Sequence, residues 1–290
     1  MSSSKRVAVI GSTGQLGSDL VRVLGQAGHQ VVPLAHGDVE VADQGSVQEA
    51  LRRHRPEVVV NCAAFHRVDA CEDDAETAFR VNALGARYVA EACAALGAAC
   101  VYLSTDYVFD GAQRTPYLED APPRPLSVYG ASKAAGEHLV RLTLAEHYIV
   151  RCSGLFGGAG ASGKGGNFVT TMLRLAREGR EIRVVDDQRF SPTSTEALAA
   201  KIAWLVTTGQ YGTWHITCRG ECTWYEFARA IFELAGLRPK LSPTTSEAYG
   251  ARARRPAYSV LGHGRLQQAG ADDLPPWREA LSQYMQGAGS

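Results

Sequence analysis

Short runs of consecutive apolar residues recur through the first half of the chain, separated by longer stretches in which apolar positions return every three to four residues. Val7 to Ile10, Gln30 to Leu34, Glu57 to Asn61, Cys100 to Ser104 and Tyr148 to Arg151 read as strands. Unbroken apolar character over four or five residues marks a strand covered on both faces. Leu16 to Leu24, Ser46 to Arg53, Ala75 to Leu96 and Val128 to Ala145 carry the helical period. Strand and helix in strict alternation predict an α/β protein, a doubly wound parallel sheet of Rossmann-like form, over residues 1–151. Beyond Arg151 the rhythm loosens into a glycine-rich stretch from Gly154 to Gly166, a helix over Phe168 to Glu178 and, after Ser191-Pro192-Thr193, a helix over Glu196 to Val206. Residues 152–290 are expected to form a smaller, mainly substrate-binding C-terminal region, part of which returns to the sheet domain. A long glycine-rich loop in such a region suits a binding role.

In an open parallel sheet, ligands bind beyond the carboxyl ends of the strands. Gly11-Ser12-Thr13-Gly14-Gln15-Leu16-Gly17 follows the first strand and opens the first helix. There a first glycine makes the tight turn, a second lets a pyrophosphate approach the backbone, and a third lets helix pack on strand. Ala63-Ala64 follows the third strand and Ser104-Thr105-Asp106 the fourth, so three segments converge on one edge.

Composition narrows the partners. Among 290 residues, 30 basic and 30 acidic side chains cancel, which leaves no global field to hold nucleic acid or an anionic membrane. No stretch approaches the roughly 20 apolar residues of a membrane span, and the expected compartment is the cytoplasm. The seven cysteines read as reduced packing residues. Cys218 and Cys222 lack the spacing of a zinc site, and no metal is expected.

Candidate chemistry sits in Ser127-Val128-Tyr129-Gly130-Ala131-Ser132-Lys133. Four residues apart on a helix, Tyr129 and Lys133 share a face. An ammonium about 4 Å from a phenolate stabilises it by about 4 kcal/mol at an effective dielectric of about 20, or roughly three pKa units. A phenol starting near 10 is then expected near about 7, able to exchange a proton at neutral pH. Thr105 is placed to hydrogen-bond a substrate oxygen, and a nicotinamide would supply the hydride.

Taken together, these residues resemble the extended short-chain dehydrogenase/reductase superfamily and, within it, the dTDP-4-dehydrorhamnose reductase family. The resemblance runs nearly end to end, through Asn61-Cys62-Ala63-Ala64, the run Ser104 to Gly111, Val128-Tyr129-Gly130 with Lys133, Gly166-Asn167-Phe168, Asp186-Asp187-Gln188, Trp224 to Ala228, Arg255-Pro256 and Trp277-Arg278. It implies Tyr129 as proton donor, Lys133 lowering its pKa, and Thr105 and Asp106 at the sugar. Gly11, Gly14, Gln15, Leu16, Gly17, Glu40, Val41, Ala63 and Ala64, with Tyr129 and Lys133, would line NADPH or NADH. Asn167 and Arg255 would contact the substrate, a nucleotide sugar, and a second copy of the chain is a further candidate partner. The implied activity is reduction of the C4 keto group of dTDP-4-dehydro-6-deoxy-L-mannose to dTDP-L-rhamnose. The chain departs from some members at Gly154, where they carry a tryptophan. The acidic residues that hold a bridging magnesium in some members have no counterpart. Two other readings stay open: another sugar-nucleotide epimerase, dehydratase or reductase, and a non-catalytic NAD(P)-binding regulatory subunit. No carboxylate ends the second strand to select a ribose hydroxyl; His36 and Asp38 are the nearest polar groups.

Overall fold

The valine-rich strands fold into the middle of the molecule: Val58, Val59 and Val60 are each no more than 1% exposed in the computed structural model, which describes residues 4–159 and 166–287. In chain order the first elements are β1 (Arg6–Ile10), α1 (Gln15–Gln26), β2 (Gln30–Leu34), α2 (Gln44–His54), β3 (Val58–Asn61), α3 (Val68–Asp73), α4 (Ala75–Phe79), α5 (Gly85–Leu96), β4 (Ala99–Thr105), α6 (Val128–Thr143) and β5 (His147–Cys152). The remainder comprises β6 (Leu155–Phe156), α7 (Phe168–Arg177), β7 (Ile182–Val185), β8 (Arg189–Phe190), β9 (Thr193–Ser194), α8 (Thr195–Leu205), β10 (Gly212–His215), β11 (Cys222–Thr223), α9 (Trp224–Leu234), β12 (Leu241–Thr244), α10 (Ser246–Tyr249), α11 (Gly264–Gln268) and α12 (Trp277–Gly287).

Six parallel strands form the central sheet in the order β10-β5-β4-β3-β1-β2. One face is covered by α1 and α8, with Leu20, Leu24, Leu198 and Ile202 fully buried; the other carries Val47, Leu51, Val89 and Val140 from α2, α5 and α6. Each such Leu, Ile or Val contributes about 1.5–3 kcal/mol relative to exposure. Both α8 and β10 come from beyond residue 152, so the chain re-enters the sheet layer after leaving it. A second cluster, around Phe156, Phe190, Phe227 and Ile231, gathers α7, α9 and α12 with the short strands of the C-terminal part.

Two expectations change in detail. Ala75 to Leu96 is not one regular helix: a wide π turn over Arg80–Leu84 separates α4 from α5. Such a turn places Asn82, which is fully buried, so that its amide reaches two neighbours at once. Its Oδ1 accepts from Phe65 N at 2.9 Å, while Nδ2 donates to Phe65 O at 3.0 Å and to Ser132 Oγ on α6 at 3.0 Å. The Gly154 to Gly166 stretch is not wholly loop either. Leu155–Phe156 form β6 and pair in parallel with β9, while residues 160–165 lie outside the described residues.

Short helix α3 is a junction. Glu72 accepts the Val128 N–H at the start of α6 at 2.8 Å, and Asp69 accepts the Ala253 N–H at 3.0 Å. Asp69 also pairs with Arg255 at 2.9 Å, and Asp73 pairs with Arg252. Ser127 caps α6 by accepting from Gly130 N at 3.2 Å, which fixes where Tyr129 and Lys133 begin the helix.

Candidate active site

A cleft of about 1370 Å³ opens beyond the carboxyl ends of the strands, where the converging segments were expected to meet. At one end lies the glycine turn. Gly11 has φ +75°, and a Cβ at Gly17 would stand 2.1 Å from the Gly11 carbonyl oxygen, so α1 can pack against the turn only with glycine there. No side chain caps α1 and no acidic residue occupies its first turn. Its N-terminal amides and positive end are therefore available to an anion, and this turn fits the pyrophosphate of a dinucleotide. Gly14, Gln15 and Leu16 share this wall, Leu16 being only 6% exposed and largely part of the core. Glu40, Val41, Ala63 and Ala64 continue it. Asp38 is occupied in its own turn, accepting from Ala35 N at 2.8 Å, and His36 is exposed beside Glu40.

Toward the other end stand Thr105, Asp106, Tyr129 and Lys133. Asp106 is only 3% exposed and accepts three hydroxyl hydrogen bonds: from Thr105 at 3.0 Å, Ser153 at 2.8 Å and Ser259 at 2.5 Å. Burial pushes its carboxyl up to about 6, with the three hydroxyls acting in the opposite direction. Ser153 and Ser259 were not anticipated. Ser153 follows the end of β5 and is reachable by the strand-end rule, but nothing local marks Ser259, which lies 153 residues from its partner.

Tyr129 corrects the simple expectation from spacing. Its phenol is raised, not lowered: burial dominates, the Cys152 side chain adds to it, and a hydrogen bond with Thr105 offsets only part. Lys133 is 2% exposed and its Nζ sits over the Tyr102 ring, 4.1 Å from the centroid. Burial lowers its ammonium to about 8, against the raising influence of Cys152, Glu137 and Cys62. The polypeptide thus holds Tyr129 as a neutral phenol and leaves Lys133 mostly protonated at pH 7. Cys62 and Cys152 line the cleft beside them as thiols, each raised to about 12 by burial.

Behind this group is a buried ion pair. Arg151 donates through Nε to Glu137 Oε1 at 2.8 Å and through Nη2 to Oε2 at 2.7 Å, and Ser104 donates to Oε1 at 2.6 Å. Burial alone would raise the carboxyl, but Arg151 and Ser104 hold it below the ordinary range. Arg151 Nη1 lies 3.2 Å from His215 Nε2, and His215 Nδ1 is 3.1 Å from both the Tyr117 and Gly262 carbonyls. These partners assign a neutral ring protonated on Nδ1.

Asn167 and Arg255 behave differently from the rest. Asn167 reaches the cleft, but its side chain is engaged: Oδ1 caps α7 through Thr170 N at 3.0 Å, and Nδ2 donates to Gln15 Oε1 at 2.9 Å and Gly157 O at 3.0 Å. Arg255 lines an adjoining cavity of about 510 Å³ instead, which shares Tyr107, Phe168, Gln188 and Trp224 with the main cleft. Among the described residues no cluster of side chains suits a metal ion, and no helix is long and apolar enough to cross a membrane.

The sheet, the glycine turn and the Tyr129/Lys133 helix at the strand ends define a protein of the doubly wound, dinucleotide-binding class. The family model described as RmlD substrate binding domain matches residues 5–289, and the chain belongs to that family. It is 44% identical over 281 residues to the spore coat polysaccharide biosynthesis protein SpsK of Bacillus subtilis strain 168, with 97% of each chain covered. It is 42% identical over 285 residues to a dTDP-4-dehydrorhamnose reductase of Streptomyces griseus, covering 96% of this chain and 92% of the relative. The crystal structure of dTDP-4-dehydrorhamnose reductase from Bacillus anthracis in complex with NADP superposes with a TM-score of 0.94 at 38% identity, over 98% of this chain and 100% of the other.

Proposed function

We propose that this protein is an NAD(P)H-dependent reductase that converts dTDP-4-dehydro-6-deoxy-L-mannose to dTDP-L-rhamnose. The observation that carries the reading is a proton-bearing, half-buried Tyr129 placed in one cleft with Thr105, Lys133 and a glycine turn shaped for a dinucleotide. The similarity to reductases named for this substrate supports the choice of sugar. NADPH and NADH are both admitted, since no carboxylate closes β2, which ends at Leu34.

The glycine turn and the start of α1 hold the pyrophosphate, and Glu40, Val41, Ala63 and Ala64 flank the rest of the dinucleotide. When bound, the coenzyme supplies the hydride for C4 of the sugar. Tyr129 gives its phenolic proton to the C4 oxygen, which becomes a hydroxyl. Lys133, charged at neutral pH, stabilises the phenolate left behind. Thr105 Oγ1 donates to Asp106 at 3.0 Å and accepts from Tyr107 N at 3.2 Å, which fixes the threonine hydroxyl beside the Tyr129 phenol. Asp106, Ser153 and Ser259 supply the polar lining for the sugar hydroxyls.

The test is coenzyme absorbance with purified protein and dTDP-4-dehydro-6-deoxy-L-mannose generated in place. Expected are one NADPH or NADH consumed per dTDP-L-rhamnose formed, and a fall in kcat of about 10²–10⁴ in Tyr129→Phe with coenzyme affinity retained. Absence of consumption with either coenzyme rejects this substrate. Sugar interconversion without net consumption points to an epimerase.

A further inference from the structure

One glycine at the sugar end of the cleft has no room for a side chain. Gly154 has φ +53°, in the left-handed region, and directly follows Ser153, whose hydroxyl holds Asp106. A Cβ built there would lie 2.3 Å from Cε2 and 2.6 Å from Cδ2 of Phe190. The ring therefore occupies the volume that any residue larger than glycine would claim. It is also rigidly mounted. Phe190 belongs to β8, which pairs antiparallel with β11, and its ring stacks on Trp224 with centroids 3.9 Å apart and planes 20° from parallel. The Phe227 ring stands near perpendicular to it, with centroids 6.0 Å apart. Phe190, Trp224 and Gly154 all line the main cleft, together with the polar group of Thr105, Asp106, Ser153 and Ser259.

The sugar compartment thus has a hydroxyl-rich wall and, where Trp224 and the 3%-exposed Phe190 reach the cleft, an aromatic one. Polar positions of a hexose suit the first; a methyl group suits the second better than a hydroxymethyl, because a hydroxyl turned toward the aromatic wall loses its hydrogen bonds to water. Building on the reductase reading above, we propose that Phe190 is a specificity-determining residue that selects 6-deoxy sugars, its ring meeting the C6 methyl group beside the reacting C4, and that Gly154 is required to admit the ring.

The test is a binding titration of the coenzyme-loaded protein with a pair of dTDP-hexoses that differ only in the 6-hydroxyl, with dTDP alone as the reference for the nucleotide. Wild type is expected to prefer the 6-deoxy member by about ten-fold, the size of discrimination an apolar pocket provides. Phe190→Ser should bring the ratio near unity and Phe190→Leu should keep most of it, with dTDP and NADPH binding unchanged in both. Gly154→Ala should lower the ratio when Phe190 is present and change it little in a Phe190→Ala background, because the two positions compete for one volume. A ratio that survives Phe190→Ser in a protein still binding dTDP and NADPH overturns the proposal, and so does a wild type without preference. Turnover of dTDP-4-dehydro-6-deoxy-L-mannose, measured separately, reports on the reductase reading alone: its loss leaves the binding ratio intact as evidence on Phe190.

Discussion

His215 makes a prediction whose size follows from its surroundings. The ring is fully buried, donates from Nδ1 to backbone carbonyls and faces the Arg151 guanidinium with Nε2. Burial and then Arg151 lower its pKa from 6.5 to about 3. Between those values the unfolded chain binds a proton that the folded chain refuses, so stability falls as pH falls through this window. At pH 5 the unfolded ring is protonated one and a half units below its midpoint, which costs about 2 kcal/mol at about 1.4 kcal/mol per unit. Asp106 acts the other way. Its folded pKa is raised from 3.8 to about 6, so acidification from pH 7 to 5 returns roughly 1 kcal/mol to the folded state. Wild type should therefore lose only about 1 kcal/mol from this pair of groups. His215→Gln removes the larger of the two terms while an amide can still accept from Arg151 and donate to the carbonyls. Urea unfolding of both proteins at pH 7 and pH 5 is the assay. The gap between wild type and variant should move by about 2 kcal/mol in favour of the variant on acidification. An unchanged gap would refute the neutral, buried histidine.

Two further substitutions probe the site's foundations. Arg151→Met should destabilise the fold by about 3 kcal/mol because it leaves the buried Glu137 carboxylate with only Ser104 and the more exposed Arg141, at 3.1 Å, as partners, and adding Glu137→Leu should recover much of that loss in urea unfolding. A double variant no better than the single one would show that the ion pair is not the origin of the cost. Gly17→Ala forces a methyl group toward the Gly11 carbonyl, at a spacing of 2.1 Å before relaxation, and must push α1 off the turn. NADPH affinity by fluorescence titration should fall by at least about a hundred-fold, since the anion site depends on that approach. Unaltered affinity would mean that the turn does not hold the coenzyme.

Why some features are legible in the sequence and others are not has a physical basis. Strands buried on both faces leave uninterrupted apolar runs, so β1, β3, β4 and β5 stand out, whereas β2 lies at the sheet edge with only Leu34 buried; β10, Gly-Thr-Trp-His, is short and half polar and is revealed only by its pairing with β5. The spacing of Tyr129 and Lys133 is a local property and can be read directly. The state of their protons is not, because it is set by desolvation from elements scattered along the chain, and burial reverses the direction that proximity alone suggests for Tyr129. Asp106 is conspicuous next to Thr105, yet the hydroxyls that define its chemistry come from after β5 and from residue 259. Gly154 is visible in the sequence only as a departure from its relatives; Phe190, brought alongside by the pairing of β6 with β9 and by the Thr193 N–H donating to the Gly154 carbonyl at 3.2 Å, shows what fills the space.

The six-residue helix α3 imposes a condition on insertions and deletions. Asp69, Glu72 and Asp73 stand at relative positions 0, +3 and +4, so one side of a turn and a half of helix serves both the amide that opens α6 and the arginines near residue 255. Each residue of an α-helix advances the azimuth by about 100°. Gaining or losing a single residue between Asp69 and Asp73 would turn one part of this set about 100° from the other and break the shared face. The stretch from Asp69 to Asp73 is consequently fixed in length by its neighbours, even though it lies outside the sheet and none of its residues lines the main cleft.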